Sequence, residues 1–144
     1  MIAPEERLAN LERAIADLVE LAGSMPVVVE GRRDVAALRR LGVEGEVLTV
    51  NGGMALIDFC DRLAERTTEA VLLTDWDRTG GHILRHLRDN LRGRVRMHRE
   101  VRKAIALYAE VRDVESLPTY LESLRRRVAE VTRAPGPDAS RAER

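Results

Sequence analysis

The chain holds a single cysteine, Cys60, so it can form neither an internal disulfide nor a cysteine-based zinc site, and a reducing cytoplasm is the expected setting. Aromatic residues make up 3% of the sequence, too few for a row of rings on which nucleic-acid bases stack. Lysine is reduced to Lys103 alone; every other member of the 24 Lys and Arg residues is arginine. That bias follows either from coding composition or from a need to grip phosphate oxygens in pairs. No apolar run reaches membrane-spanning length, and the opening MIAPEERLANLER is too charged for a signal peptide. A soluble protein without a membrane partner is expected.

Net charge is lacking too: 24 basic residues balance 24 acidic ones. The balance is uneven along the chain. Between Arg85 and Lys103, eight basic residues face only Asp89 and Glu100, a surplus of six, while acids gather at Glu5, Glu6, Glu12, Asp17 and Glu20. A polyanion could lie along the first segment, which also carries His86 and His98.

What is present reads as one domain, since 144 residues suffice to bury a real core. Leu8, Leu11, Ile15, Leu18, Val19 and Leu21 have helical spacing over 4–22, ended by Gly23, Ser24 and Pro26. Short β-branched or apolar runs at 26–30, 46–50 and 70–74 read as buried strands, and 94–98 alternates like an edge strand. Helical patterns lie between them at 34–41, 54–66 and 81–91, and a further helix over 114–131 is interrupted or started at Pro118. The order predicts an α/β fold with about four mainly parallel strands flanked by helices. It divides into an N-terminal helix at 1–24, an α/β body at 25–114, a helical extension at 115–132, and a Pro-, Gly- and Ser-rich tail at 133–144, expected to be disordered.

In such a sheet the C-terminal strand ends share one edge, where ligands bind. Glu30 ends the first strand, Asn51 follows the second, and Asp75 and Asp77 end the third. Residues i and i+2 of an extended segment point the same way, so Asp75 and Asp77 present oxygens to one point. Three carboxylates without a nearby lysine suit Mg²⁺ or Mn²⁺, which relieves their repulsion and meets phosphate oxygens. The plainer assignment makes Asp77 a helix cap, Asp75 a turn residue and Glu30 a partner of Arg32 or Arg33.

VVVEGRRD, then NGG after the next strand, then LLTDWDRTGG, in this order and spacing, resemble a Toprim domain, the catalytic module shared by topoisomerases and bacterial-type primases. The resemblance covers roughly 26–114 and is strongest to small stand-alone Toprim proteins related to the ribonuclease that matures 5S ribosomal RNA. It implies a Rossmann-like Toprim fold, with Glu30 as general acid or base, and with Asp75 and Asp77 holding a divalent metal near Glu30. Gly31, Gly53 and Gly80 fall where the family has glycines, for tight turns and close backbone approach. Mg-dependent phosphodiester chemistry on RNA or DNA is implied, of nuclease or nucleotidyl-transfer type. The candidate nucleic-acid contacts are Arg78, Arg85, Arg88, Arg92, Arg96 and Arg99.

Tyr108 and Tyr120, the only tyrosines, lie outside the Toprim motifs, so a topoisomerase nucleophile is not expected, and one cysteine excludes a primase zinc module. The alternative function is a non-catalytic nucleic-acid-binding or adaptor module inside a processing complex, docked to a protein partner through its first or last helix. A D-x-D-x-T phosphatase would need the motif on its first strand and a later lysine besides. Trp76 either stacks on a base or packs, with packing favoured. His82 and His86 lack a third ligand and read as surface residues, and Asp34 reads as a helix cap.

Overall fold

The computed structural model describes residues 1–133. The expected disordered tail lies outside the described residues from position 134 on. The chain runs α1 (Pro4–Ala22), β1 (Val27–Val29), α2 (Arg32–Arg40), β2 (Val47–Thr49), α3 (Leu56–Arg66), β3 (Glu69–Leu72), α4 (Arg78–Leu91), β4 (Arg96–His98), α5 (Glu100–Tyr108) and α6 (Leu117–Arg133). The four strands form one sheet in the order β2-β1-β3-β4, parallel throughout.

Both faces of the sheet are covered, which is why its strands are apolar without interruption. Val27, Val29, Val71 and Leu73 point into one core layer, shared with Leu11, Leu18, Leu38, Ile105 and Leu124. Val28, Ala70 and Leu72 point into the other, against Phe59, Cys60, Leu63, Leu87 and Leu91. Each fully buried leucine contributes roughly 1.5–3 kcal/mol. In α1, Leu11, Ala14, Ile15, Leu18 and Ala22 are buried, one stripe that packs on α5 and α6. The first and last helices therefore share the core of the sheet.

Several boundaries differ from the sequence expectation for local reasons. The helix expected at Gly81 starts at Arg78, because Asp77 caps it and two glycines do not prevent a first turn. Pro118 starts α6: it sits in the first turn, where a missing N–H is harmless. Residues 100–108, for which no element is expected above, form α5, whose Val101 and Ile105 are buried one turn apart.

The strand order also explains where the site lies. From β1 the chain crosses to β2 on one side, then returns past β1 to β3 and β4 on the other. Right-handed crossovers accordingly send α2 and α4 to opposite faces, opening a crevice between the C-terminal ends of β1 and β3.

Candidate metal centre

Glu30, directly after β1, and Asp75 and Asp77, between β3 and α4, meet in that crevice. One oxygen from each lies within 4.8 Å of the others. All three residues are half-buried. An octahedral Mg²⁺ with bonds of about 2.1 Å has no two ligands more than about 4.2 Å apart, so small side-chain adjustments suffice. An all-oxygen, anionic donor set fits a hard divalent cation.

Each carboxylate is held through one oxygen by a backbone N–H from a different segment. Along the β1–β3 ladder, Val71 N donates to Pro26 O and Leu73 N to Val28 O. The next rung goes to a side chain: Asp75 N donates to Glu30 Oε2 at 2.8 Å. Glu30 is thereby locked between the two strands. Its main-chain carbonyl accepts from Asn51 N on the β2 side at 2.9 Å. Asp75 Oδ1 accepts from Val114 N at 2.9 Å, and Asp77 Oδ1 accepts from Gly80 N at 2.7 Å. In each case the second oxygen accepts from no N–H among the described residues.

The capping role foreseen for Asp77 is thus present together with the metal geometry. Glu30 makes no ion pair with Arg32 or Arg33; Arg33 lies instead 3.8 Å from Glu115. Asp34 sits in the first turn of α2, buried, with Oδ2 accepting from Gly31 N at 3.0 Å. The N-cap is Gly31 rather than Asp34, which reaches back to it from the third helical position and lines a cavity of about 710 Å³ alongside Glu30, Asn51, Asp75 and Glu115.

Crowding of acids in a partly dry crevice perturbs their titration. Burial, then the charges of Glu30, Asp34 and Asp77, push the Asp75 carboxyl up to about 7, against the pull of the Val114 N–H. Glu30 is raised chiefly by burial, then by Asp77 and Asp34, with the Asp75 N–H acting the other way. Asp34 is raised by burial as well, with Glu115 and Asp113 adding to it.

A cation that holds the aspartate segment arrives from α5. Arg102 Nε donates to Thr74 O at 2.8 Å and a terminal nitrogen donates to Asp75 O at 2.6 Å. Arg102 belongs to the basic segment, but it was not among the arginines singled out. No signal in the spacing finds it: the buried stripe of α5 runs through Val101 and Ile105, and Arg102 lies about 100° round the helix from Val101. Trp76 points away from the carboxylates: its indole N–H donates to Val111 O, its main-chain N–H to Arg112 O, and its ring packs on the first core layer.

Two of the three glycines have a clear physical reason. A Cβ on Gly80 would lie 1.9 Å from Asp75 O, and Gly53 has φ +84°. Gly31 is extended at φ −146°, and a Cβ there would meet nothing within 4 Å. Tyr108 and Tyr120 pack against the first core layer.

Of the six arginines expected to meet nucleic acid, Arg78, Arg85, Arg92, Arg96 and Arg99 are exposed and Arg88 is half-buried. Arg85, Arg88 and Arg92 share one stripe of α4 or its end, as three- and four-residue spacing requires. Arg96 stands apart on edge strand β4, 3.9 Å from Glu69. His82 and His86 are both exposed on α4.

A family model described as the Toprim domain matches residues 26–107. The chain is 36% identical over 124 residues to the UPF0292 protein of Methanosarcina barkeri, covering 83% of this chain and 86% of the relative. It is 32% identical over 120 residues to the UPF0292 protein of Methanocaldococcus jannaschii, covering 81% and 94%. A solved structure of a protein from Aquifex aeolicus superimposes with a TM-score of 0.64 at 21% identity, covering 72% of this chain and 94% of that one. The last likeness is one of fold.

Proposed function

This chain belongs to the Toprim domain family, and from that premise we propose that it carries out metal-dependent phosphodiester chemistry, as a nuclease or nucleotidyl transferase, on RNA or DNA. Toprim domains generally act on nucleic acids with a divalent cation. The observation that carries the reading here is the convergence of Glu30, Asp75 and Asp77 within 4.8 Å at the β1–β3 crevice, each fixed by its own backbone N–H.

Asp75 and Asp77 would hold Mg²⁺ or Mn²⁺, with Glu30 completing the set. The ion, when bound, supplies positive charge opposite the phosphate that is transferred. The chain's own residues do the rest. Glu30 Oε2 is occupied by the Asp75 N–H, so Oε1 is the atom that takes or gives a proton. Arg102, held on Thr74 O and Asp75 O, keeps a positive charge beside the crevice and orients the segment that carries both aspartates. The exposed arginines of α4 supply attraction for the phosphate backbone without reading sequence.

The test is cleavage of labelled single- and double-stranded RNA and DNA, with Mn²⁺ and with chelator, by wild type and Glu30→Gln. The expected result is metal-dependent cleavage of at least one of these, abolished or strongly reduced in Glu30→Gln while Mn²⁺ and nucleic-acid binding largely persist. Nucleic-acid binding without turnover under any metal would replace this reading by that of a binding module.

A further inference from the structure

A second cavity, of about 360 Å³, opens between α4 and the start of α5, lined by Leu84, Arg88, Arg99, Glu100, Arg102 and Lys103. Four cations and one acid share this lining, a local surplus of three positive charges in a molecule with none overall.

Several arginines elsewhere on the surface are matched, though others, such as Arg85 and Arg92, are not among the described residues. Arg94 reaches Asp61 at 2.8 Å, Arg125 reaches Glu12 at 3.0 Å, and Arg96 faces Glu69. Among the described residues, no carboxylate comes within 4.0 Å of Arg88, Arg99, Arg102 or Lys103 as an ion-pair partner. Even Glu100, in the same lining, turns its Oε2 to the Arg99 N–H. Arg102 feels the carboxylates of Glu30, Asp75 and Asp77 at longer range, whereas Arg88, Arg99 and Lys103 share only Glu100 in the lining; like charges so placed repel, and an anion entering this space gains what the protein has not neutralised.

The cavity is also tied to the metal centre. Arg102 has five N–H donors and gives two of them to Thr74 O and Asp75 O, the main chain that carries the metal-site aspartate. The others remain for a ligand. Lys103 flanks it on α5 and Arg99 at the helix N-cap, where the N-terminal end adds the positive pole of a helix dipole. Arg88 closes the space from α4, one turn beyond Leu84.

We propose that this cavity is a phosphate subsite: it takes a phosphate group of the nucleic acid other than the one at the carboxylates, and so sets the register of the strand in the crevice. The assignment to nucleic acid rests on the functional reading above; the phosphate chemistry does not. The group is either an internal phosphodiester or a terminal phosphomonoester, and the second, being a dianion, would use the charge surplus more fully.

The experiment uses the full chain without metal. Titration with inorganic phosphate, followed by NMR of the backbone amides and arginine side chains, should move signals of Arg88, Arg99, Arg102 and Lys103. Arg88→Ala and Lys103→Ala should each weaken phosphate binding, and the affinity for a short oligonucleotide in chelator about tenfold, as expected for loss of one charge-assisted contact. Arg126→Ala, which removes an exposed charge on α6, should change neither. Oligonucleotides with and without a 5′- or 3′-phosphate separate the two sources: a preference for one phosphorylated end assigns the cavity to that terminus, and equal affinity assigns it to the internal backbone. Phosphate that leaves these four residues unperturbed, or equal losses in Arg126→Ala, would overturn the subsite even if cleavage is intact. Phosphate bound here with no oligonucleotide bound would overturn the nucleic-acid assignment and leave the subsite standing.

Discussion

At Asp75 the main-chain N–H, the main-chain carbonyl and the side chain are all engaged, by Glu30, Arg102 and Val114 in turn. Its carboxyl is raised from 3.8 to about 7, so over that interval the metal-free folded protein holds a proton that the unfolded chain has lost. Stability changes with pH in proportion to protons bound unfolded minus protons bound folded. That difference is negative here, so the metal-free protein should lose stability as pH rises through this window. The raised carboxyls of Glu30 and Asp34 act in the same direction. The thermal midpoint in chelator is expected to fall between about pH 4 and pH 7, and Asp75→Asn should flatten the profile. Calorimetry of Mn²⁺ uptake near pH 6 in buffers of different ionisation enthalpy should register proton release. A pH-independent wild type would contradict the assigned burial and charge crowding. The tryptophan between the aspartates has a separate task. An alternating segment sends it to the opposite face, where it anchors residues 111–112 and so brings the Val114 N–H to Asp75.

Among the elements, α4 packs directly against the site. Its first turn lies against Asp75: Thr74 Oγ1 donates to Gly80 O at 3.0 Å, and Gly80 N donates to Asp77. A methyl group on Gly80 would meet the Asp75 carbonyl at 1.9 Å, and backbone cannot yield as a flexible side chain can. Gly80→Ala should destabilise the protein by ~1–3 kcal/mol or more and weaken Mn²⁺ affinity, because either α4 or Asp75 must move. Gly81, one position on, has nothing within 4 Å of its would-be Cβ. Gly81→Ala should leave metal binding unchanged and stabilise by up to ~1 kcal/mol through helix propensity. Chemical denaturation and a Mn²⁺ titration of the two variants check both signs, and equal effects would refute the close approach.

On the scale of the whole molecule, zero net charge conceals a local surplus: α4 and its end carry the stripe of Arg85, Arg88 and Arg92, on the side of the sheet opposite the acids of α1. If that stripe tracks a phosphate backbone, affinity in chelator should fall with salt, each contact on duplex DNA contributing about 0.9 to the log–log slope. Replacing Arg85 and Arg92 by alanine should lower the slope by up to ~2, nearly independently of base sequence. Replacing Arg94 and Arg96 should lower it less, since both already face carboxylates. Salt-independent binding would reduce the stripe to a solvated surface.

Short-range regularities made much of this legible in advance. Three uninterrupted apolar runs each ending in a carboxylate or amide are enough to predict a buried parallel sheet, and parallel strands carry their C-terminal residues to one edge whatever lies between. Glu30, Asp75 and Asp77 could therefore be brought together on paper. The α1 stripe was equally plain, because nineteen residues repeat one period. Position across space was not available in this way. That Arg102 rather than a neighbour turns toward Asp75 depends on α5, nine residues long, docking beside β3. That Val114 N–H holds Asp75 depends on a contact between residues 39 apart. That Arg88 and Lys103 face one cavity depends on the packing of two helices across β4. Local sequence determines period and therefore which face of an element is buried; which polar groups meet across elements is decided by packing, because those partners are set by distance in the folded chain and leave no trace in spacing along it.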